Sequence, residues 1–168
     1  VKRYSHVASL RTFSKAFGLG GVRLGYTLMQ PELAVQIQKL IMPFSISALQ
    51  LEIAKVVLEE VLSNKYHFVQ ERIEETLSER TRVMRDLQAL PDVHVFPSET
   101  NFFLMRVPNA ELFYKQLLQS GIIIRRQDHL PRLKDCVRIS IGTPEENTLF
   151  LQTTERLLGL KSTRLEKV

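Results

Sequence analysis

The sequence predicts an α/β chain, on three observations. Two strand-like runs, residues 6–13 (HVASLRTF) and 22–29 (VRLGYTLM), flank a loop punctuated by Gly18, Gly20 and Gly21. Helical spacing of apolar residues then dominates as far as Pro91. After Pro91, short strand-like and helical runs alternate at the spacing of a compact α+β module.

The elements follow in order. Pro31 sits where a first helical turn accepts a residue without an N–H, so a short helix is expected from there to about Leu40, and Pro43 ends it. A second helix is expected from about Ser47 to Leu62, and a long one from about Lys65 to Leu90. In the long one Val69, Ile73, Leu77, Met84 and Leu87 recur at near-helical spacing and leave a polar opposite face. Short strands are expected at 93–96 and 101–106. A helix follows at about 110–120, with Asn109 as N-cap and Gly121 just past its end. Strands are expected at 122–126 and 137–141. Thr143-Pro144-Glu145-Glu146 combines an N-cap, a proline at the first helical position and a capping-box glutamate, which opens a last helix to about Leu158.

This texture divides the chain into residues 1–45, the remainder of a larger sheet domain; 46–90, linking helices; and 91–168, a small α+β domain. Two strands and a loop cannot bury both faces of a sheet, so residues 1–45 are expected to belong to a fold larger than this chain.

Composition narrows the function classes. The 168 residues are 44% hydrophobic and 24% charged, enough for a sizeable core and ordinary for a globular domain. The single cysteine, Cys136, reads as a buried small apolar residue; it allows no intrachain disulfide and points to a reducing, cytoplasmic setting. No apolar run approaches the roughly 20 residues of a membrane span, and the opening residues lack the layout of a signal peptide. The formal net charge of +5 raises the question of nucleic acid. The basic residues are scattered, however: Arg72, Arg80, Arg82 and Arg85 alternate with Glu71, Glu74, Glu75, Glu79 and Asp86, a solvated mixed-charge pattern. Lys161, Arg164 and Lys167 make only a short basic tail. Neither nucleic acid nor membrane is expected as a partner, and anionic substrates explain part of the charge equally well. His6, His67, His94 and His129 show no metal-ligand spacing, so no metal is expected.

The stretch that carries chemistry runs from Thr12 to Tyr26, TFSKAFGLGGVRLGY. It holds two hydroxyls, one lysine, a glycine-rich loop and an arginine entering the next strand. Hydroxyls, loop N–H groups and a guanidinium all bind phosphate. A lysine among cationic groups becomes available for Schiff-base chemistry. A Walker A loop fails because Lys15 precedes the glycines, and a dinucleotide fingerprint from Gly18 fails because Arg23 stands where a glycine is needed. The residues alone leave phosphate binding, nucleophilic lysine chemistry and an ordinary surface loop open.

Ser14-Lys15-Ala16-Phe17-Gly18-Leu19 through Val22-Arg23-Leu24-Gly25-Tyr26 resembles the cofactor-lysine segment of fold-type I aminotransferases, most closely the histidinol-phosphate branch. The resemblance implies that Lys15 joins covalently to pyridoxal phosphate, that Arg23 pairs with the cofactor phosphate, and that Ser14 and Thr12 stand at phosphate-binding positions. Gly20 departs from the pattern, where alanine is commoner. A second stretch, Cys136-Val137-Arg138-Ile139-Ser140-Ile141-Gly142-Thr143-Pro144-Glu145-Glu146-Asn147, resembles the family's C-terminal strand and helix start, and Gly121-Ile122-Ile123-Ile124-Arg125 resembles the strand before it. These imply that Arg138 and Arg125 grip the anionic group of the substrate, although Arg126 is adjacent to Arg125 and easily confused with it. Ser98-Glu99-Thr100-Asn101-Phe102 resembles a small-domain segment, with Asn101 structural.

The fold so implied is the C-terminal part of an aspartate-aminotransferase-like fold: the end of the large cofactor domain plus the small α+β domain. The implied activity is transamination of histidinol phosphate with 2-oxoglutarate, in a cytoplasmic homodimer. An aromatic-amino-acid aminotransferase, a phosphothreonine decarboxylase and a non-catalytic remnant are the alternatives. The family's pyridine-nitrogen aspartate lies well upstream of the lysine, and only fourteen residues precede Lys15. The expectation is therefore a fragment, poor at binding the cofactor and inactive by itself.

Overall fold

The computed structural model describes residues 3–63 and 67–159. The expected basic tail at Lys161, Arg164 and Lys167, and the expected helix start at Lys65, lie outside the described residues. The chain divides into two compact units, residues 1–73 and 74–168.

In the first unit, β1 (Ser9–Thr12) and β2 (Gly25–Leu28) form an antiparallel pair, with Thr12 opposite Gly25 and Ser9 opposite Leu28. Gly25 is required there: a Cβ would stand 2.6 Å from the carbonyl oxygen of Arg11. Strand β2 begins later than sequence periodicity suggests. Residues 20–22 form a single 3₁₀ turn, and Arg23 adopts a left-handed conformation, φ 57°, which breaks the extended run before Gly25. Helix α1 (Pro31–Gln38) starts on its proline as expected. Helix α2 (Ala48–Leu62) opens with a capping box: the N–H of Gln50 donates to Ser47 Oγ, and the N–H of Ser47 donates to Gln50 Oε1. A small core of Phe13, Leu24 and Ala54, with Phe17, Leu19, Val22 and Leu58 packed on it, joins the loop to α2. Much apolar surface stays exposed, including Leu40, Ile41, Met42, Phe44 and Leu49.

Helix α3 (Phe68–Gln88) runs across the division between the units. In the second unit, β3 (His94–Val95), β4 (Phe102–Arg106), β5 (Arg125–Arg126) and β6 (Cys136–Ser140) form an antiparallel sheet of order β3-β4-β6-β5. One face carries Val95, Phe103, Met105, Val137 and Ile139 into a core shared with Val83 and Leu87 of α3, with α4 (Ala110–Gln119) through Phe113 and Leu117, and with α5 (Pro144–Gly159) through Phe150 and Leu158. Val83, absent from the apolar series read in the sequence, is fully buried, while Leu77 is exposed. The expected caps form. The N–H of Leu112 donates to Asn109 Oδ1, and Thr143 and Glu146 exchange both hydrogen bonds of a capping box.

The strand expected at 122–126 shortens to its last two residues, because its start is spent on ending α4. Gly121 takes φ 78°, its N–H donates to the Leu118 carbonyl, and the N–H of Ile122 donates to the Leu117 carbonyl, a Schellman closure.

Candidate functional site

In the first unit the loop from Phe13 to Leu24 is closed at its stem. The Phe13 N–H donates to the Leu24 carbonyl at 3.2 Å, and the Leu19 N–H donates back to the Phe13 carbonyl at 3.0 Å. This fold-back places Lys15 two residues beyond one side of the stem and Arg23 directly before the other. Lys15 is exposed, and its carbonyl accepts from the N–H of Gly18, whose φ of 69° makes the turn. Thr12 Oγ1 accepts from the Ser14 N–H at 3.0 Å. The Arg23 side chain bends over the loop, and its Nη1 donates to the Gly20 carbonyl at 2.8 Å. Gln50, which sequence reading passed over, braces the same loop: its Nε2 donates to the Val22 carbonyl at 2.8 Å while its Oε1 caps α2. The signal for it was present as Ser47-x-x-Gln50, a capping-box spacing.

In the second unit the sheet face opposite the core carries the predicted arginines. Arg125 on β5 and Arg138 on β6 are direct cross-strand partners and so point to the same side. Among the described residues neither makes an ion pair. The neighbouring Arg126 is committed elsewhere. Its Nε and Nη2 fork onto the Asp128 carboxylate at 3.0 and 2.7 Å, and its Nη1 lies 3.8 Å from Glu111. The guanidinium of Arg126 holds the Asp128 carboxyl below its ordinary value, chiefly through that hydrogen bond. Tertiary pairing thus separates two arginines that the sequence leaves alike. The Arg138 guanidinium lies over the Phe102 ring, 4.9 Å from its centroid, and its Nε is buried without a hydrogen-bond acceptor among the described residues. A buried donor left so costs stability until an acceptor reaches it.

Beyond β6, buried Asn147 ties the strand's exit to α3. Its Nδ2 donates to Glu79 Oε2 at 2.8 Å and to the Gly142 carbonyl at 3.0 Å, and its Oδ1 accepts from the Gly142 N–H. Arg82 forks onto the same Glu79. The backbone carbonyl of Asn101 accepts from the Ile141 N–H at 2.9 Å. A cleft of about 310 Å³ is lined by Ile122, Ile124, Ile139, Ile141 and Phe150 together with the polar Ser140, Glu146 and Asn147. The four histidines are all exposed, Cys136 is fully buried, and the described residues hold no cluster of metal-ligating side chains. No described helix is long and apolar enough to cross a membrane.

A lysine on a glycine loop followed by an arginine, and a second pair of arginines on a sheet face, are arranged here along a chain whose residues 1–153 match the family model for aminotransferase class I and II. The chain belongs to this family. Within the aminotransferases, it is 46% identical over 151 residues to the histidinol-phosphate aminotransferase of Deinococcus radiodurans, covering 90% of this chain and 40% of that protein. The chain thus spans about two-fifths of the length of the curated relatives it matches. Among solved structures it resembles the histidinol-phosphate aminotransferase of Sinorhizobium meliloti in complex with pyridoxal-5'-phosphate, with TM-score 0.74, 28% identity and coverage of 92% of this chain and 41% of that one. It is equally similar in fold to the L-threonine-O-3-phosphate decarboxylase of Porphyromonas gingivalis, with TM-score 0.77, 26% identity and coverage of 95% and 49%. The aminotransferase fold expected from the sequence is therefore the fold observed, present in part.

Proposed function

We propose that this chain is the part of a pyridoxal-phosphate-dependent aminotransferase that carries the cofactor lysine, and that the whole protein moves an amino group between histidinol phosphate and 2-oxoglutarate. The observation that carries the substrate reading is the cross-strand pair Arg125 and Arg138, two cations facing one another without an acidic partner among the described residues. A phosphate group answers both.

The residues of the first loop suit the cofactor by the chemistry of their donors. Thr12 and Ser14 bring hydroxyls, Arg23 a guanidinium and Lys15 an exposed primary amine, and a Cβ at Gly18 or Gly21 would meet nothing within 4 Å, so the loop surface is open. Arg23, Thr12 and Ser14 would hold the phosphate, and Lys15 the aldehyde carbon. When bound, pyridoxal phosphate supplies an electron sink for the substrate α-carbon. Once the substrate's own amine has taken its place at the aldehyde carbon, the freed Lys15 amine would take a proton from the α-carbon and return one in the opposite half-reaction. Arg125 and Arg138 orient the substrate by its anionic end, which fixes which α-hydrogen meets the amine.

The family resemblance extends the proposal to a cytoplasmic homodimer. A second reading, decarboxylation of a phosphorylated amino acid, is favoured by the likeness to the threonine-phosphate decarboxylase, whose named substrate also carries a phosphate.

The test is reductive trapping. Borohydride treatment of the protein with pyridoxal phosphate should leave a pyridoxyl adduct on the peptide containing Lys15, and Lys15→Ala should abolish it. An adduct elsewhere, or an unchanged yield in the variant, would refute the assignment. Assay of the intact protein with histidinol phosphate, aromatic amino acids and L-threonine-O-3-phosphate then separates the readings.

A further inference from the structure

We propose that Phe102 is a positioning residue, the platform over which the Arg138 guanidinium is held for the anion. This rests on the reading of Arg125 and Arg138 as an anion clamp and deepens it.

The argument starts from register. Leu104 is the direct partner of Arg138 across β4 and β6, and Phe102 is the partner of Ser140. Phe102 therefore lies diagonally beside Arg138 on the same sheet face, a distance that aromatic and long side chains bridge. The Phe102 ring does so: the guanidinium carbon stands 4.9 Å from its centroid, inside the range of a cation–π contact. Phe102 is half-buried and does not belong to the main core of the unit, where its neighbour Phe103 is packed. Its aromatic character is thus not demanded by that core.

The contact also leaves the donors unsaturated. It is made to a ring face, so it gives the Arg138 cation a partner without an acceptor atom that would use up its N–H groups. Arg138 Nε is buried without an acceptor among the described residues, so this donor is unspent and an anion that reaches the guanidinium satisfies it. The ring also opposes the repulsion from Arg125 directly across the strand pair, which would otherwise swing the Arg138 side chain away. Phe102 touches neither substrate nor cofactor in this scheme. It acts through Arg138.

The experiment is NMR on the whole chain, labelled with ¹⁵N-arginine, with inorganic phosphate as the probe. Wild type should show an Arg138 Nε–H signal shifted by the ring current, and phosphate should move it together with that of Arg125. In Phe102→Leu the ring-current shift should vanish and the phosphate midpoint should rise about three- to tenfold, the span expected for a partly exposed cation–π contact. Phe102→Tyr should restore both. Trifluorophenylalanine at position 102 keeps the shape while emptying the ring face, and should weaken phosphate binding without altering the backbone spectrum. Equal phosphate midpoints in wild type and Phe102→Leu overturn the role of Phe102 alone. A wild-type chain that ignores phosphate overturns the clamp itself, and the role of Phe102 with it.

Discussion

Arg125 and Arg138 face each other as direct partners across β5 and β6, with their charges on the same side of the sheet. Two like charges so placed destabilise a strand pair, by about 0.2–1 kcal/mol. The cost is carried by the folded chain whenever no anion lies between them.

The first prediction follows from that cost. Arg125→Gln should raise the melting temperature of the chain in phosphate-free, low-salt buffer by about 1–5 °C. It should also abolish the further rise that wild type shows on adding phosphate. Differential scanning calorimetry with and without phosphate reads both. A fall in melting temperature without phosphate would mean that the two guanidiniums do not oppose one another.

The second prediction concerns the loop stem. Gly25→Ala drives a Cβ against the Arg11 carbonyl oxygen, at 2.6 Å, and the hairpin must open to accept it. The cost should be on the order of 1–3 kcal/mol, as for other overpacked sites. Hydrogen exchange at the Phe13 amide, which donates across the stem to Leu24, should accelerate selectively. The yield of trapped cofactor on Lys15 should fall with it.

The third prediction concerns Glu79, which α3 places under Asn147. Hydrogen bonding from Arg82 first, and from Asn147 next, holds the Glu79 carboxyl below its ordinary value, against the opposing pull of burial. A carboxyl with a depressed folded value adds stability above the unfolded value of about 4.3 and loses it as pH falls through the folded one. Glu79→Gln should therefore flatten the acid limb of the urea midpoint plotted from pH 7 to pH 3. Asn147→Leu should be worse at neutral pH, by about 2–4 kcal/mol, because it strands both Gly142 backbone groups and removes one of the donors to the buried Glu79 carboxylate. An acid limb as steep in Glu79→Gln as in wild type would assign the pH dependence to other groups.

Local signals were the legible part of this molecule. Pro31, Asn109 and the Thr143–Glu146 box mark helix starts through their own chemistry, and each does so in the structure. Strand ends were less legible, because they depend on single backbone torsions. Arg23 turns left-handed and delays β2, and Ile122 gives its N–H to the end of α4 instead of to a strand. The candidate site divides the same way. The residue types at 12, 14, 15, 23, 125 and 138 could be named from the chain, but which arginine of Arg125 and Arg126 is uncommitted depends on Asp128 and Glu111, and no spacing rule reveals that. Gln50 and Phe102 act through contacts with distant backbone or with a diagonal neighbour, so periodicity marks them only as a cap and a strand residue.

The torsion at Arg23 carries one more consequence. A side chain with a Cβ at φ 57° sits where glycine or asparagine rests more easily, at a penalty of roughly 1 kcal/mol. The loop accordingly tolerates discomfort at one of the positions proposed to grip the cofactor. Arg23→Asn should make the empty chain slightly harder to unfold while blunting its hold on pyridoxal phosphate, so a selection for thermal robustness alone would erode the loop's chemistry at this residue first.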